Sequence, residues 1–113
     1  MLTVYVYVNS NNDVYSFKVN NHGRDIVCAA VSALVFNTIN SIEAFTPESF
    51  NCDFHENGGF LFFELPTLKE NKESKDAALL LNSFLLGVRG IKEDYSEDIE
   101  LIINDEKIQH NKK

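Results

Sequence analysis

The stretch Gly23-Arg24-Asp25-Ile26-Val27-Cys28-Ala29-Ala30-Val31-Ser32-Ala33-Leu34 decides how this chain reads. Small and apolar residues continue from it to Phe45, too long a run for a strand, before Thr46-Pro47 ends them. A helix is therefore predicted over 26–45, with Asp25 as its N-cap. It is expected to be largely buried, with Asn37, Asn40, Ser41 and Glu43 turning its far half towards solvent. Cys28 then becomes the third helical residue, with His22 just upstream. A helix start carries unpaired N–H groups and partial positive charge, which favour a thiolate. That effect is worth only ~0.3–1 kcal/mol, against about 1.4 kcal/mol for one pKa unit, and the charge of Asp25 opposes it. A reactive sulfur here needs a cationic partner. His22 is the candidate: an imidazolium would stabilise the thiolate and could later protonate a leaving amine.

Outward from this helix the hydrophobic period changes in a regular way. Leu2, Val4, Val6 and Val8 alternate with Thr3, Tyr5 and Tyr7, which predicts a strand with one aliphatic and one aromatic face. Asn9-Ser10-Asn11-Asn12 reads as a turn into a second strand over Val14–Val19, giving an antiparallel hairpin. After the helix, Phe50, Cys52 and Phe54 alternate with Asn51, Asp53 and His55. Asn57-Gly58-Gly59 then turns the chain into Phe60–Leu65, a second hairpin. Pro66–Glu73 reads as a charged loop, and Ser74 opens a helix in which Leu81, Phe84, Val88, Ile91 and Tyr95 recur at helical spacing. Gly87 and Gly90 within it either permit close packing or weaken its end. Ile99–Ile103 supplies a last strand.

The order β-β-α-β-β-α-β implies an α+β two-layer sandwich, with two helices on one face of a mainly antiparallel sheet. Residues 1–103 form a single domain, and 104–113 a polar, frayed tail.

With 113 residues, 44% of them hydrophobic and 24% charged, the chain can build one small core. The net charge of −7 argues against direct nucleic-acid binding, which needs clustered Lys and Arg, and makes a basic or amphipathic peptide the easier partner. The apolar run from Ile26 is broken at Ser32 and stops at Phe36, short of the roughly 20 residues a membrane span needs. With no signal peptide ahead of the first strand, Cys28 and Cys52 are expected to be reduced in a cytoplasmic protein. No metal and no cofactor are expected, since the Cys and His residues lack paired ligand spacing and no phosphate-binding glycine loop occurs. Bland readings compete with the chemical ones for Cys28, as a small buried helix residue, for His22, as a turn residue, and for His55, as solvated, whereas Cys52 is read as core packing between phenylalanines.

The run from Asp25 to Leu34, with Gly23 just ahead of it, resembles the signature of the ribosomal-processing cysteine protease family Prp. The preceding hairpin, the stretch Asn37–Ile42, the Asn57-Gly58-Gly59 turn and the helix ending near Tyr95 extend the resemblance over nearly the whole chain. It implies a homodimeric cytoplasmic endopeptidase using a Cys/His pair. Its substrate would be the precursor of large-subunit ribosomal protein L-twenty-seven, whose short N-terminal extension is removed after an aromatic-rich motif. Cys28 matches the nucleophile and Ser32 a serine of the motif one turn further on, with Gly23 and Asp25 in supporting places. Ser32 is equally readable as a helix hydroxyl satisfied by a backbone carbonyl.

The chain departs from the family pattern between histidine and cysteine, where members carry a longer mobile loop. Aligned from the strand side, His22 is the catalytic base. Aligned from the helix side, His22 is only the residue before the motif glycine and the base is missing. The chain is thus either an endopeptidase slowed by its short His22–Cys28 segment or a catalytically silent dimeric module that binds the same peptide.

Overall fold

Leu2, Val4, Val6 and Val8 are all buried on one side of their strand, and this alternation organises the sheet. The computed structural model describes residues 1–55 and 59–105. The elements run β1 (Leu2–Val8), β2 (Val14–Asn20), α1 (Asp25–Phe45), β3 (Asn51–His55), β4 (Phe60–Glu64), α2 (Pro66–Lys69), α3 (Lys75–Asp94) and β5 (Ile99–Asp105). The five strands form one sheet in the order β3-β4-β2-β1-β5, with the helices on one side. Pairing is antiparallel except between β1 and β5, which are parallel. The expected α+β architecture holds. β5 continues to Asp105, opposite Val8, two residues into the stretch expected to be tail. Residues 106–113 lie outside the described residues, as do Asn57 and Gly58 of the expected turn.

The β1–β2 turn is built by Asn9, which is fully buried. Its Oδ1 accepts from the backbone N–H groups of Asn11 and Asp13, both at 3.0 Å, and its Nδ2 donates to the Leu68 carbonyl at 2.7 Å. The last bond ties the hairpin to α2, a single helical turn with Pro66 at its start. A loop was expected there. Four residues are too few to display a helical period, so only the favourable N-terminal proline marks the element.

α1 packs one stripe, Val27, Val31, Val35, Thr38 and Ile42, onto the sheet. The opposite face is exposed along its whole length, from Ile26 (52%) through Ala29, Ala33 and Phe36 (44%) to Asn40 and Glu43, rather than in its far half alone, and Phe45, in line with the buried stripe, is exposed at the helix end. With 21 residues α1 is long and apolar enough, by length and composition, to cross a membrane, contrary to the sequence expectation; here its buried stripe faces the sheet. α3 buries Ala77, Ala78, Leu81, Phe84 and Val88 beside it. Gly87 permits close approach of the two helices, since a Cβ there would lie 2.8 Å from Leu34 Cδ1. At Gly90 a Cβ meets nothing within 4 Å. Gly90→Ala should therefore stabilise the fold by about 0.5–1 kcal/mol through helix propensity alone, read as a higher urea midpoint at unchanged m-value.

The expected packing of Cys52 is not what the structure shows. Register places Cys52 opposite Phe63 and Phe54 opposite Leu61, so both share the core-bearing face of the sheet. β3 is an edge strand, however, and every residue in it is exposed, Cys52 included. Alternation fixes a residue's face but not whether another layer covers it.

Candidate active site

Four residues, 21–24, carry the chain from β2 into α1. Asn21 turns it with φ 70°, a left-handed conformation that asparagine tolerates. Arg24 then occupies the N-cap position with extended backbone (φ −60°, ψ 147°) and no side-chain capping bond. Its guanidinium pairs with Asp98 at 3.1 Å and lies 5.9 Å from the Tyr95 ring centroid, anchoring the start of α1 to the α3–β5 connection. Asp25 is thus the first helical residue rather than the cap. It is exposed, and its charge suits the positive helix end without reaching the sulfur's cavity.

Cys28 follows as the fourth helical residue, half-buried, with its own N–H donating to the Arg24 carbonyl at 2.9 Å. Its sulfur folds back over the turn that leads into the helix. The Gly23 N–H donates to Sγ at 3.2 Å, and the thiol faces the Gly23 carbonyl at 3.5 Å. Gly23 is confined: a Cβ there would lie 3.3 Å from the Asp98 carbonyl oxygen and from both Leu2 Cβ and Leu2 N. The glycine fits between β1 and the α3–β5 connection and so delivers its amide to the sulfur.

Cys28, His22 and Ser32 all line one open cavity of about 320 Å³. Ser32 sits one turn beyond Cys28, as the spacing requires. Val31, Val35 and Leu61 contribute apolar wall, as do Phe36 of α1 and Phe54 of β3, whose rings meet edge to face at 5.8 Å between centroids. The His22 imidazole is exposed and lies over Gly59. His22 and Cys28 are the only titratable side chains lining this space among the described residues. A thiol, an imidazole and an apolar trough sharing one cavity are groups that acyl transfer from a peptide can use.

Sequence reasoning did not identify Phe36, Phe54, Leu61 or Gly59 as neighbours of the cysteine. Only the glycine doublet at 58–59 signalled that something there needed an unusual backbone. Among the described residues the other cysteine and histidine, Cys52 and His55, stand apart from the cavity. His55 points to the other face of β3, where its Nε2 lies 3.2 Å from the Asp53 carboxylate. Desolvation by the surrounding chain, and then the Asp53 carboxylate, hold the Cys52 thiol above its ordinary pKa.

A raised thiol pKa means the neutral form is favoured in the fold, a contribution present below the unfolded pKa and lost as pH rises through the folded one. Asp53→Asn should consequently speed alkylation of Cys52 at pH 8, measured by peptide mass mapping. An unchanged rate would mean the carboxylate does not act on the sulfur.

A family model described as cysteine protease Prp matches residues 1–100. The ribosomal processing cysteine protease Prp of Staphylococcus aureus is 33% identical over 107 residues, covering 89% of this chain and 97% of its own. Its Bacillus subtilis counterpart is 30% identical over 83 residues, 74% of each chain. Among solved structures, the essential ribosomal processing protease Prp from S. aureus with a covalently linked product peptide superposes with a TM-score of 0.82. It does so at 31% identity over 92% of this chain and 100% of that one. The same protein with a substrate peptide gives 0.81 at 29% identity with the same coverage.

Proposed function

The chain belongs to the Prp family of cysteine proteases, and from that premise we propose that it removes the short N-terminal extension of the ribosomal protein L-twenty-seven precursor, with Cys28 as nucleophile and His22 as base. The observation that carries this reading is the shared cavity: Cys28 Sγ, held by the Gly23 amide, opens onto the same apolar trough as the His22 imidazole. An apolar, phenylalanine-walled trough on a chain of net charge −7 suits an aromatic-containing segment of a basic protein.

In this mechanism the peptide lies along the trough with its scissile carbonyl above Sγ. His22 takes the thiol proton as sulfur attacks the carbonyl carbon, and the amides of the first helical turn stabilise the oxyanion. The imidazolium then protonates the departing amine. Water, deprotonated by the same imidazole, hydrolyses the thioester and frees the sulfur. Asp25 and Ser32 support the site, Asp25 at the helix start and Ser32 within the trough.

The protein works as a cytoplasmic homodimer in this reading, without contacting nucleic acid or membrane. Sedimentation of the purified chain should accordingly give twice the monomer mass of 12.8 kDa. The connection of residues 21–24 is too short to fold over a bound peptide, so turnover should be slower than in relatives with a longer loop.

One observation favours a second reading, a silent peptide-binding module: among the described residues both hydrogen-bond partners of Sγ belong to Gly23, and His22 is not one of them. Catalytic hydrogen bonds are often loose before substrate binds, so the pair keeps precedence. A peptide copy of the precursor N-terminus, followed by mass spectrometry, separates the two. Cleavage into two fragments, slowed about 10²–10⁴-fold by His22→Ala, is expected for the endopeptidase. Binding without fragments would establish the silent module instead.

A further inference from the structure

Gly59, just ahead of β4, has a left-handed backbone with φ 59°. Conformation alone does not explain a glycine there, because the other left-handed positions among the described residues are filled by asparagine: Asn12 (φ 69°), Asn21 (φ 70°) and Asn71 (φ 61°). Space does. A Cβ at position 59 would lie 2.6 Å from His22 Nε2, 2.7 Å from His22 Cε1 and 2.9 Å from the Asn21 carbonyl oxygen. Distances this short leave no room for even a methyl group unless the imidazole moves.

A catalytic imidazole is ordinarily oriented by a third polar group bonded to its other nitrogen. Among the described residues no hydrogen bond or ion pair reaches the His22 ring. The nearby charges are otherwise engaged or aside: Arg24 pairs with Asp98, and Asp25 is exposed at the helix start. What meets the ring is the bare Cα of Gly59, brought beneath it by the start of β4 as Asn21 turns the chain.

We infer that Gly59 is the positioning residue for the His22 imidazole: its absent side chain is the seat on which the ring rests, and the seat sets how the ring faces Cys28. The inference rests on His22 being the base. It predicts that filling the seat impairs proton transfer while leaving the peptide trough intact.

The test uses the full chain carrying Gly59→Ala, Gly59→Asn, His22→Ala or the His22→Ala/Gly59→Ala pair. Two readouts are taken: kcat and KM on the precursor peptide, and the pH profile of Cys28 alkylation by iodoacetamide, mapped by mass to separate it from Cys52. Gly59→Asn keeps a tolerated left-handed backbone while adding the Cβ, which guards against a Gly59→Ala chain that fails to fold. A semisynthetic chain with D-alanine at position 59, ligated at Cys52, accepts the same φ and directs its methyl away from the L-Cβ position.

Gly59→Ala and Gly59→Asn should lower kcat about 10–100-fold, the scale of a misplaced catalytic group, with KM within about twofold. Their alkylation profiles should move to that of His22→Ala, and the double variant should equal His22→Ala alone. The D-alanine chain should keep more of the unsubstituted profile than the L-alanine chain, because its methyl leaves the position against the ring free. Unimpaired Gly59 variants, equal losses in the D- and L-alanine chains, or a loss that adds to that of His22→Ala would each overturn the inference. Should His22→Ala itself change neither kcat nor profile, the base assignment fails and the inference with it. That pattern is distinct from one in which His22→Ala is impaired and the Gly59 variants are not.

Discussion

Cys28→Ala is expected to abolish cleavage of the precursor peptide, a fall in kcat/KM of at least about 10⁴-fold, while the peptide still binds. The substitution removes one atom from a half-buried position and leaves the trough of Val31, Val35, Leu61, Phe36 and Phe54 in place. No other thiol replaces the lost one, since Cys52 does not line the cavity. The structural cost is small: the Gly23 amide loses its bond to sulfur, worth about 1 kcal/mol, beside an open cavity that can supply water. The measurement is fragment appearance by chromatography with peptide affinity by fluorescence polarisation, on a variant whose unfolding midpoint is checked. Cleavage at the unsubstituted rate would remove Cys28 from the mechanism altogether.

The largest effect on stability should come from Phe17→Ala, about 3–5 kcal/mol out of the roughly 5–15 kcal/mol typical of a domain. Phe17 is fully buried on the middle strand of the sheet, β2. Its ring stacks on Phe84 of α3 at 4.2 Å between centroids and on Phe63 of β4 at 5.1 Å, with Phe50 a further 5.1 Å beyond Phe63. Alanine would lose the buried area, leave a cavity between sheet and helix, and forfeit aromatic pairs worth about 0.5–1.5 kcal/mol each. Urea denaturation followed by circular dichroism measures it. A loss below about 1 kcal/mol would mean that the sheet and α3 can close over the gap.

Much of this molecule was readable from residue order. The strand alternations, the long run after Asp25 and the helical spacing from Leu81 to Tyr95 each specify an element, because each buries one face and period identifies the element type. What could not be read depends on neighbours distant in sequence. Cys52 has the correct face for a core residue, yet β3 lies at the sheet edge, and strand order is not encoded in alternation. α1 is apolar on both sides because alanines such as Ala29 and Ala33 are tolerated at exposed helix positions, so composition overstated its burial. At the site, the DIVCA run located the sulfur. The seat beneath His22 depends on β4 meeting the β2–α1 connection, a contact between segments that show no mutual signal in sequence.

The parallel pairing of β1 with β5 has a consequence for the order of events during synthesis. Leu2 lines the cavity, and its strand is flanked on its outer side only once Ile99–Asp105 has emerged, after every other described element. A nascent chain on the ribosome thus holds its thiol and imidazole early but lacks the outer brace of that wall. A protease whose proposed substrate is itself a ribosomal protein would then mature only after its own Ile99–Asp105 segment has been made and has paired with β1.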